Sequence, residues 1–426
     1  MEGGAIPPEE AEPSSLASAD LALAPREVAV GERLSKKLCH RLGSTYSASS
    51  ERHVWADLTD ILLHLIVALF SSFHDFLVVN STCRAWRTAL SSFPSIYSFI
   101  FPPLYVKIGV HYAHRHMGYF YTSTNPLSNF KWQLRDPAKT YLSRHCSAPR
   151  NTPYYVQYLG CSYGYFIFSC GEQCLLVDVY TSTMVKPPKF QRTYNSHIYY
   201  GFLMAPLSSP NSKMLLFSRK SMFQWQVGAN SWTEHPLVCE HIHHAVSFKG
   251  QMFAIDCLRK LSTINLAPQL GMREVAVVWG EDMVNGLRKN PWLVVCGDML
   301  LMVDISIFVN KPYVSDKRFR FEVFRLDLSA KPAKWAKVEK LENWALFVSI
   351  DKRSPAFSCM SPERWGGKSN CVYVPSASED SDEPWIAVEF GQSMCSRTHP
   401  LSYILTGKRR NQNLWVLPSL VYGAGQ

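Results

Sequence analysis

Charge is scarce in this chain: Asp, Glu, Lys and Arg make up 18% of its 426 residues, against 47% hydrophobic residues. That balance excludes a mainly disordered protein and points to a folded chain with a sizeable core, long enough for two to three domains. No apolar run reaches the about 18 residues that suggest a membrane span, so no membrane partner is expected. No apolar signal segment opens the sequence, and the 12 cysteines lack the regular spacing of a disulfide framework. Together these absences lead to the expectation of a reduced compartment, nucleus and/or cytoplasm. The sequon Asn80-Ser81-Thr82 then reads as accidental.

Lys and Arg exceed Asp and Glu by 44 to 34, a net charge of +10. Phosphate neutralisation needs such cations in clusters, and the densest run is the short Gly407-Lys408-Arg409-Arg410. Nucleic acid is therefore not an expected partner.

Chemical motifs are also few. Gly160-Cys161-Ser162-Tyr163-Gly164 matches Gly-x-Ser-x-Gly, but a nucleophile elbow needs a helix after it, and the following "YFIFSC" reads as a strand. The first glycine of a phosphate-binding loop ending in Gly367-Lys368-Ser369 would fall at Pro362. Cys239, His241, His243 and His244, with Cys257, are the best metal candidates, yet structural zinc sites show two closely spaced ligand pairs and the second is missing. His111 to His116 reads as a polar loop, and Cys170 and Cys174 as residues facing across a hairpin. The acidic stretch after Ser376 is a solvated loop or a target-facing one. No catalytic residue set, metal site or cofactor is expected, and the chain reads as non-enzymatic.

What is present divides the chain in three. Residues 1–52, rich in Ala, Ser, Glu and Pro, are expected to be a disordered leader, with only weak apolar spacing over Arg26 to Leu42. Residues 53–100 carry helical periodicity: Leu58, Leu62, Leu65, Ile66 and Leu69 form one stripe. Ser72 and Asp75 match a capping box that starts a second helix. Phe76, Val79, Cys83, Trp86 and Leu90 then line one face of that helix, until Pro94 ends it. So small a helical unit is marginal alone, which implies a partner, and Trp86 is expected to be the main contributor to its core.

Residues 101–424 read as short strands separated by Gly, Pro, Asn and Asp, with hairpins at "YFIFSCGEQCLLVDVY" and "SFKGQMFAID". The 13% aromatic share suits a pleated, half-buried surface. "CLLVDVYTSTMVKPP", "MFQWQVGANSWTEHPL" and "FEVFRLDLSAKPAKWAKVEKL" echo one another as strand, loop and strand. Two stacked sheets remain open on periodicity, but about 320 residues suit a propeller of about six to seven blades.

"LTDILLHLIVALFSSFHDFLVVNSTCRAWRTAL" resembles an F-box, with Leu58, Leu62, Leu65, Ile66, Cys83, Trp86 and Arg87 on pattern. Thr59 stands where that family usually has proline, and Thr82 where it has valine. "LGCSYGYFIFSC", "AVSFKGQMFAIDCLRKLSTINLAPQL", "PWLVVCGDMLLMVD" and "NLWVLPSL" are similar to the C-terminal propeller-like domain of a large group of plant F-box proteins. The resemblance implies a multidomain protein, a small N-terminal helical F-box followed by a β-propeller. It further implies that Leu58, Leu62, Leu65, Ile66, Val79, Cys83 and Trp86 dock a Skp-family adaptor, and through it a cullin. The propeller would present a target protein for ubiquitination. Alternatives are an F-box protein acting as scaffold or inhibitor outside a ligase, and a ligand-binding propeller.

Overall fold

Helical periodicity after Leu58 gives way to strands after Phe101, and the backbone follows it. The computed structural model describes residues 58–91, 94–109, 131–149, 156–190, 197–237, 242–256, 258–265, 271–279, 287–309, 317–376, 384–395, 399, 401 and 413–422. The expected leader, the histidines at 111–116, Cys239, His241, Cys257, the basic run at 407–410 and most of the acidic stretch after Ser376 lie outside these residues.

Helix α1 (Asp60–Ala68) begins after Thr59, whose backbone is extended, and carries Asp60 at the positive end of its dipole. Helix α2 (Phe73–Thr82) is capped by Ser72, whose Oγ accepts from the His74 N–H at 3.0 Å. Its expected reciprocal partner does not close a capping box: Asp75 turns instead to Lys139 Nζ, 2.5 Å away.

The expected single helix through Leu90 is broken. Cys83 has an extended backbone, φ −153° and ψ 168°, which ends α2 and starts α3 (Arg84–Ser91). Its Sγ accepts from the Trp86 N–H at 3.4 Å, so the cysteine acts as the N-cap of α3. Helix α4 (Pro94–Ile100) starts on Pro94, whose fixed φ suits a first turn.

Beyond α4 the strands form six sheets. The first holds β1 (Leu104–Gly109), β2 (Lys131–Asp136) and β3 (Lys139–Ser147). The second is β4 (Gln157–Ser162), β5 (Tyr165–Cys170), β6 (Gln173–Asp178) and β7 (Met184–Val185). The third is β8 (Tyr200–Leu203), β9 (Lys213–Phe217), β10 (Ser221–Gln226) and β11 (Thr233–Pro236). The fourth is β12 (Ile242–Phe248), β13 (Gln251–Asp256), β14 (Leu261–Asn265) and β15 (Gly271–Glu274). The fifth has β16 (Val277–Trp279), β17 (Leu287–Cys296), β18 (Met299–Val309), β19 (Lys317–Asp327) and β20 (Ala333–Val338). The sixth has β21 (Trp344–Phe347), β22 (Phe357–Met360), β23 (Cys371–Pro375) and β24 (Trp385–Glu389). β25 (Met394–Cys395) pairs with the start of β19, and β26 (Leu414–Val416) returns to pair with β1.

β4, β8, β12, β17 and β22 neighbour one another in that order, and β26 takes the matching place in the first sheet. The arrangement is a six-bladed β-propeller, not two stacked sheets. Its ring is closed by joining the C-terminal β26 to the N-terminal β1, so the first blade draws on both ends of the domain. The three echoing sequence segments are β6–β7, β10–β11 and β19–β20, the third and fourth strands counted from the axis in blades 2, 3 and 5.

Two blades depart from a simple meander. In blade 5, β16 lies outside β20 and parallel to it. In blade 6 the chain enters at the second position and only then fills the innermost one, leaving β21 parallel to β23.

Buried indoles hold the blades together. Trp132, Trp292, Trp335 and Trp415 are all nearly inaccessible. Three of them donate Nε1–H to main-chain carbonyls: Trp132 to Val179 at 2.7 Å, Trp292 to Ser349 at 2.9 Å and Trp415 to Tyr373 at 3.1 Å. Large apolar rings are thus buried without leaving their polar edge unpaired.

Candidate functional site

Helix α1 is apolar on two sides. Leu63 and Val67, four residues apart, are fully buried. Around the helix from them Ile61 is 72% exposed, Leu65 59% and Leu69 78%, a row at four-residue spacing, with Leu62 beside it at 49%. Val78 on α2, 53% exposed, adds to this apolar surface. An isolated exposed leucine has no meaning, but a contiguous row on one short helix is a candidate interaction surface.

The expected site residues divide. Leu62 and Leu65 lie on the exposed row, whereas Leu58, Ile66, Val79, Cys83 and Trp86 are half-buried. Ile61 and Val78 were not among the expected residues. Ile61 breaks the single-stripe pattern, because the helix has one apolar face for the protein and another for solvent. Trp86 is not the dominant core residue: Phe73, Phe76, Tyr97 and Phe101 are buried more completely and share one aromatic cluster, with ring centroids 5.2–6.4 Å apart.

The stabilisation this small helical unit requires comes from the propeller itself. Leu63, Val67, Phe73, Phe76, Ala89 and Leu90 belong to the same buried cluster as Leu104, Val106 and Trp132 of blade 1 and Leu414 and Val416 of β26. Polar contacts fix the seat. Asp136, at the end of β2, accepts from Ser72 Oγ at 2.7 Å and from the His74 N–H at 3.3 Å. From blade 6, Arg364 Nη2 donates to the carbonyls of Ala68 and, at 2.8 Å, Phe70, placing a cation at the negative end of α1. His64 Nδ1 meets the Tyr97 hydroxyl, and burial holds the His64 pKa below its ordinary value. Phe99 of α4 meets Trp344 edge-on at 5.8 Å.

At the centre of the ring a second group of polar side chains converges. The connection from β21 to β22 crosses the axis. Its Arg353 carbonyl accepts from the Cys161 N–H at 3.2 Å, and its guanidinium donates to the Tyr158 carbonyl, both on β4 of blade 2. Ser354 Oγ lies 3.0 Å from the Tyr158 hydroxyl, and its carbonyl accepts from His244 Nε2 at 3.3 Å, on β12 of blade 4. Arg353 is forked onto Asp351, Nε to Oδ1 at 2.9 Å and Nη2 to Oδ2 at 2.5 Å. Lys352 Nζ stands 3.0 Å from His243 Nδ1. Gly160 is required here, because a Cβ at that position would overlap the carbonyls of Gly201 and Arg353. Burial pulls the His244 pKa down to about 4, against the opposing bond to Ser354. Arg353 is paired with Asp351 and Lys352 with His243, while the buried His244 Nδ1 has no hydrogen-bond partner among the described residues, and the segment from Asp351 to Ser354 forms a polar plug at the centre of the ring.

The other sequence motifs take structural places. Ser162 ends β4, is buried, and donates to the Leu203 carbonyl at 3.1 Å. A Tyr163-Gly164 turn and β5 follow it, in place of the helix an elbow needs. Gly164, at φ +79°, lies so close to Pro418 and Ser419 that no side chain fits. Cys170 and Cys174 sit across the β5–β6 hairpin one register step apart, each opposite another residue, Gln173 and Ser169. His243 and His244 project to different surroundings, and no group of three or more metal-capable side chains occurs among the described residues.

A helical F-box seated on a six-bladed propeller defines a class, the F-box proteins with a C-terminal propeller. The family model described as the KIB1-4 beta-propeller matches residues 133–398, and the chain belongs to that family. It is similar to two Arabidopsis thaliana proteins. With F-box protein At2g26160 it is 23% identical over 76% of this chain and 96% of the relative. With Putative F-box protein At3g25750 it is 23% identical over 76% of this chain and 88% of the relative. Among solved structures, the Malassezia sympodialis allergen Mala s 1 is 11% identical over 68% of this chain and 86% of that one, at a TM-score of 0.33, too distant to carry an argument. The chain is thus a plant-type F-box protein with a propeller.

Proposed function

We propose that the protein is the substrate-recognition subunit of a Skp-cullin-F-box ubiquitin ligase. The observation that carries this reading is the apolar row Ile61, Leu62, Leu65 and Leu69, left open on a helix whose other face is already packed. A Skp-family adaptor covers that row, with Val78 at its margin and the half-buried Leu58, Ile66, Val79, Cys83 and Trp86 supporting it from behind. The cullin is reached through the adaptor, and ubiquitin transfer is catalysed by other chains.

The propeller binds the target protein, and the complex works in the nucleus and/or cytoplasm, where adaptor and cullin are met. Family membership and the relatives' F-box names support the reading. Co-purification with a Skp-family adaptor tests it. Leu62→Asp or Leu65→Asp should abolish the association, and an undiminished pull-down from both variants rejects this interface.

A further inference from the structure

Topology sorts the charged side chains by end of the ring. The helices join at the end that carries the β2–β3 turn and the β22–β23 connection, through Asp136 and Arg364. Alternation of strand direction puts the β9–β10 and β13–β14 turns of blades 3 and 4 at the opposite end. Arg219 and Lys220 are exposed on the first turn, and Arg259 and Lys260 occupy the second. Lys352, beside His243 at the start of β12, lies at the channel mouth on the same end. Four cations, Arg219, Lys220, Arg259 and Lys260, therefore lie over two neighbouring blades, with Lys352 held by His243 on their axial side.

Little opposes them among the described residues of these two turns. Glu274 stands 3.6 Å from Lys260 with both side chains more than half exposed, a pairing that water screens. Asp256 is buried, and its Oδ1 accepts from the Leu258 and Lys260 N–H groups at 2.8 Å each, so it shapes the turn. The helix-bearing end differs, with Asp75 on Lys139 and Glu363 close in sequence to Arg364.

Apolar surface lies within the basic sector. Leu258 is 60% exposed next to Arg259, and the half-buried Leu237 is tied by its N–H to the Lys220 carbonyl at 2.8 Å. A nucleic-acid backbone calls for a continuous cationic track, with aromatic faces where bases are single-stranded. Separated cations with leucines beside them suit an acidic polypeptide that carries apolar side chains, recognised by charge complementarity and apolar burial together.

We propose that this sector of blades 3 and 4 docks an acidic, leucine-bearing segment of the target protein. The inference rests on the receptor reading above and specifies the chemistry of what that receptor takes. The full chain bound to its adaptor is titrated against a fluorescent peptide of glutamates with leucine at every fourth position, a glutamine counterpart and a DNA duplex, by anisotropy. The Glu peptide should bind, the Gln peptide should not, and R219E/K220E/R259E/K260E should weaken binding by about tenfold or more. The matching four-fold Gln variant should give an intermediate loss, with thermal unfolding of both variants unchanged.

No binding of the Glu peptide, or binding that the reversal leaves intact, overturns the proposal. So does a duplex that binds more tightly than the peptide and is lost on reversal, which assigns the sector to nucleic acid. Adaptor association is measured on the same samples: its loss from the wild-type chain sinks the ligase reading, whereas its retention with no peptide binding sinks only the docking sector.

Discussion

The guanidinium of Arg353, on the segment leading into the innermost strand of blade 6, bonds the main-chain carbonyl of Tyr158 on the innermost strand of blade 2. The contact spans the ring across its axis and is anchored by Asp351, so the channel is closed by the protein's own chain.

Removing one member of that buried pair leaves the other charge uncompensated. Asp351→Ala or Arg353→Ala should destabilise the fold by about 3–5 kcal/mol, read from urea unfolding midpoints. A change under about 1 kcal/mol in both variants would show that the plug is peripheral to ring stability.

His244 gives the plug a pH dependence with a defined sign. Its pKa in the fold is about 4, below the ordinary histidine value of 6.5, so the unfolded chain takes up a proton first as pH falls. Stability from this group is complete above about pH 6.5 and declines toward about pH 4, by an amount on the order of 3 kcal/mol. His244→Gln should flatten the unfolding free energy across that window, even if its value at neutral pH drops.

Cys83 caps α3 through sulfur, a weak acceptor. Cys83→Ser keeps the cap with a stronger acceptor and should leave the melting temperature unchanged or raised, whereas Cys83→Ala should cost about 0.5–2 kcal/mol. If serine and alanine prove equally destabilising, the residue acts through packing.

The two faces of α1 predict separable phenotypes. Ile61→Asp, on the open row, should leave unfolding within about 0.5 kcal/mol of wild type while abolishing adaptor association. Leu63→Ala, on the buried side, should cost about 2–5 kcal/mol. Calorimetry with an adaptor pull-down on both variants checks the separation.

Asp136 holds the helices to blade 1 through Ser72 and His74. Asp136→Ala strands the buried Ser72 hydroxyl and leaves the His74 N–H on Ser72 Oγ alone, and should lower stability by about 1–3 kcal/mol, with faster hydrogen exchange at the start of α2. Unchanged exchange there would mean that the aromatic cluster alone sets the seat.

The propeller was legible because blade strands carry local signals: hairpin glycines such as Gly171 and Gly250, alternation, and the echo among β6–β7, β10–β11 and β19–β20. The swapped order in blade 6 was not, since it is set by the segment between β21 and β22, whose partners lie in blades 2 and 4. The plug is equally invisible in sequence, where Tyr158 and Arg353 are far apart.

The helices show a different limit. The 3-4 spacing of Phe76, Val79, Cys83, Trp86 and Leu90 fits one continuous helix, and the break shows only in the extended backbone of Cys83 and its cap on the Trp86 N–H. Apolar spacing on α1 marks which residues are greasy without saying which face meets the chain's own core. Leu63 and Val67 took that face because Phe73, Phe76 and blade 1 lie on that side, leaving Ile61 and Leu65 outside.

Ring closure has a temporal side. β26 is made last yet pairs with β1, made first in the domain, and the turn after it, Ser419–Tyr422, lies against α4. A polypeptide still emerging from the ribosome lacks this piece until translation has passed Tyr422. The helices therefore lack that part of their floor until β26 and the turn after it have been made, and the order of manufacture itself delays their full seating.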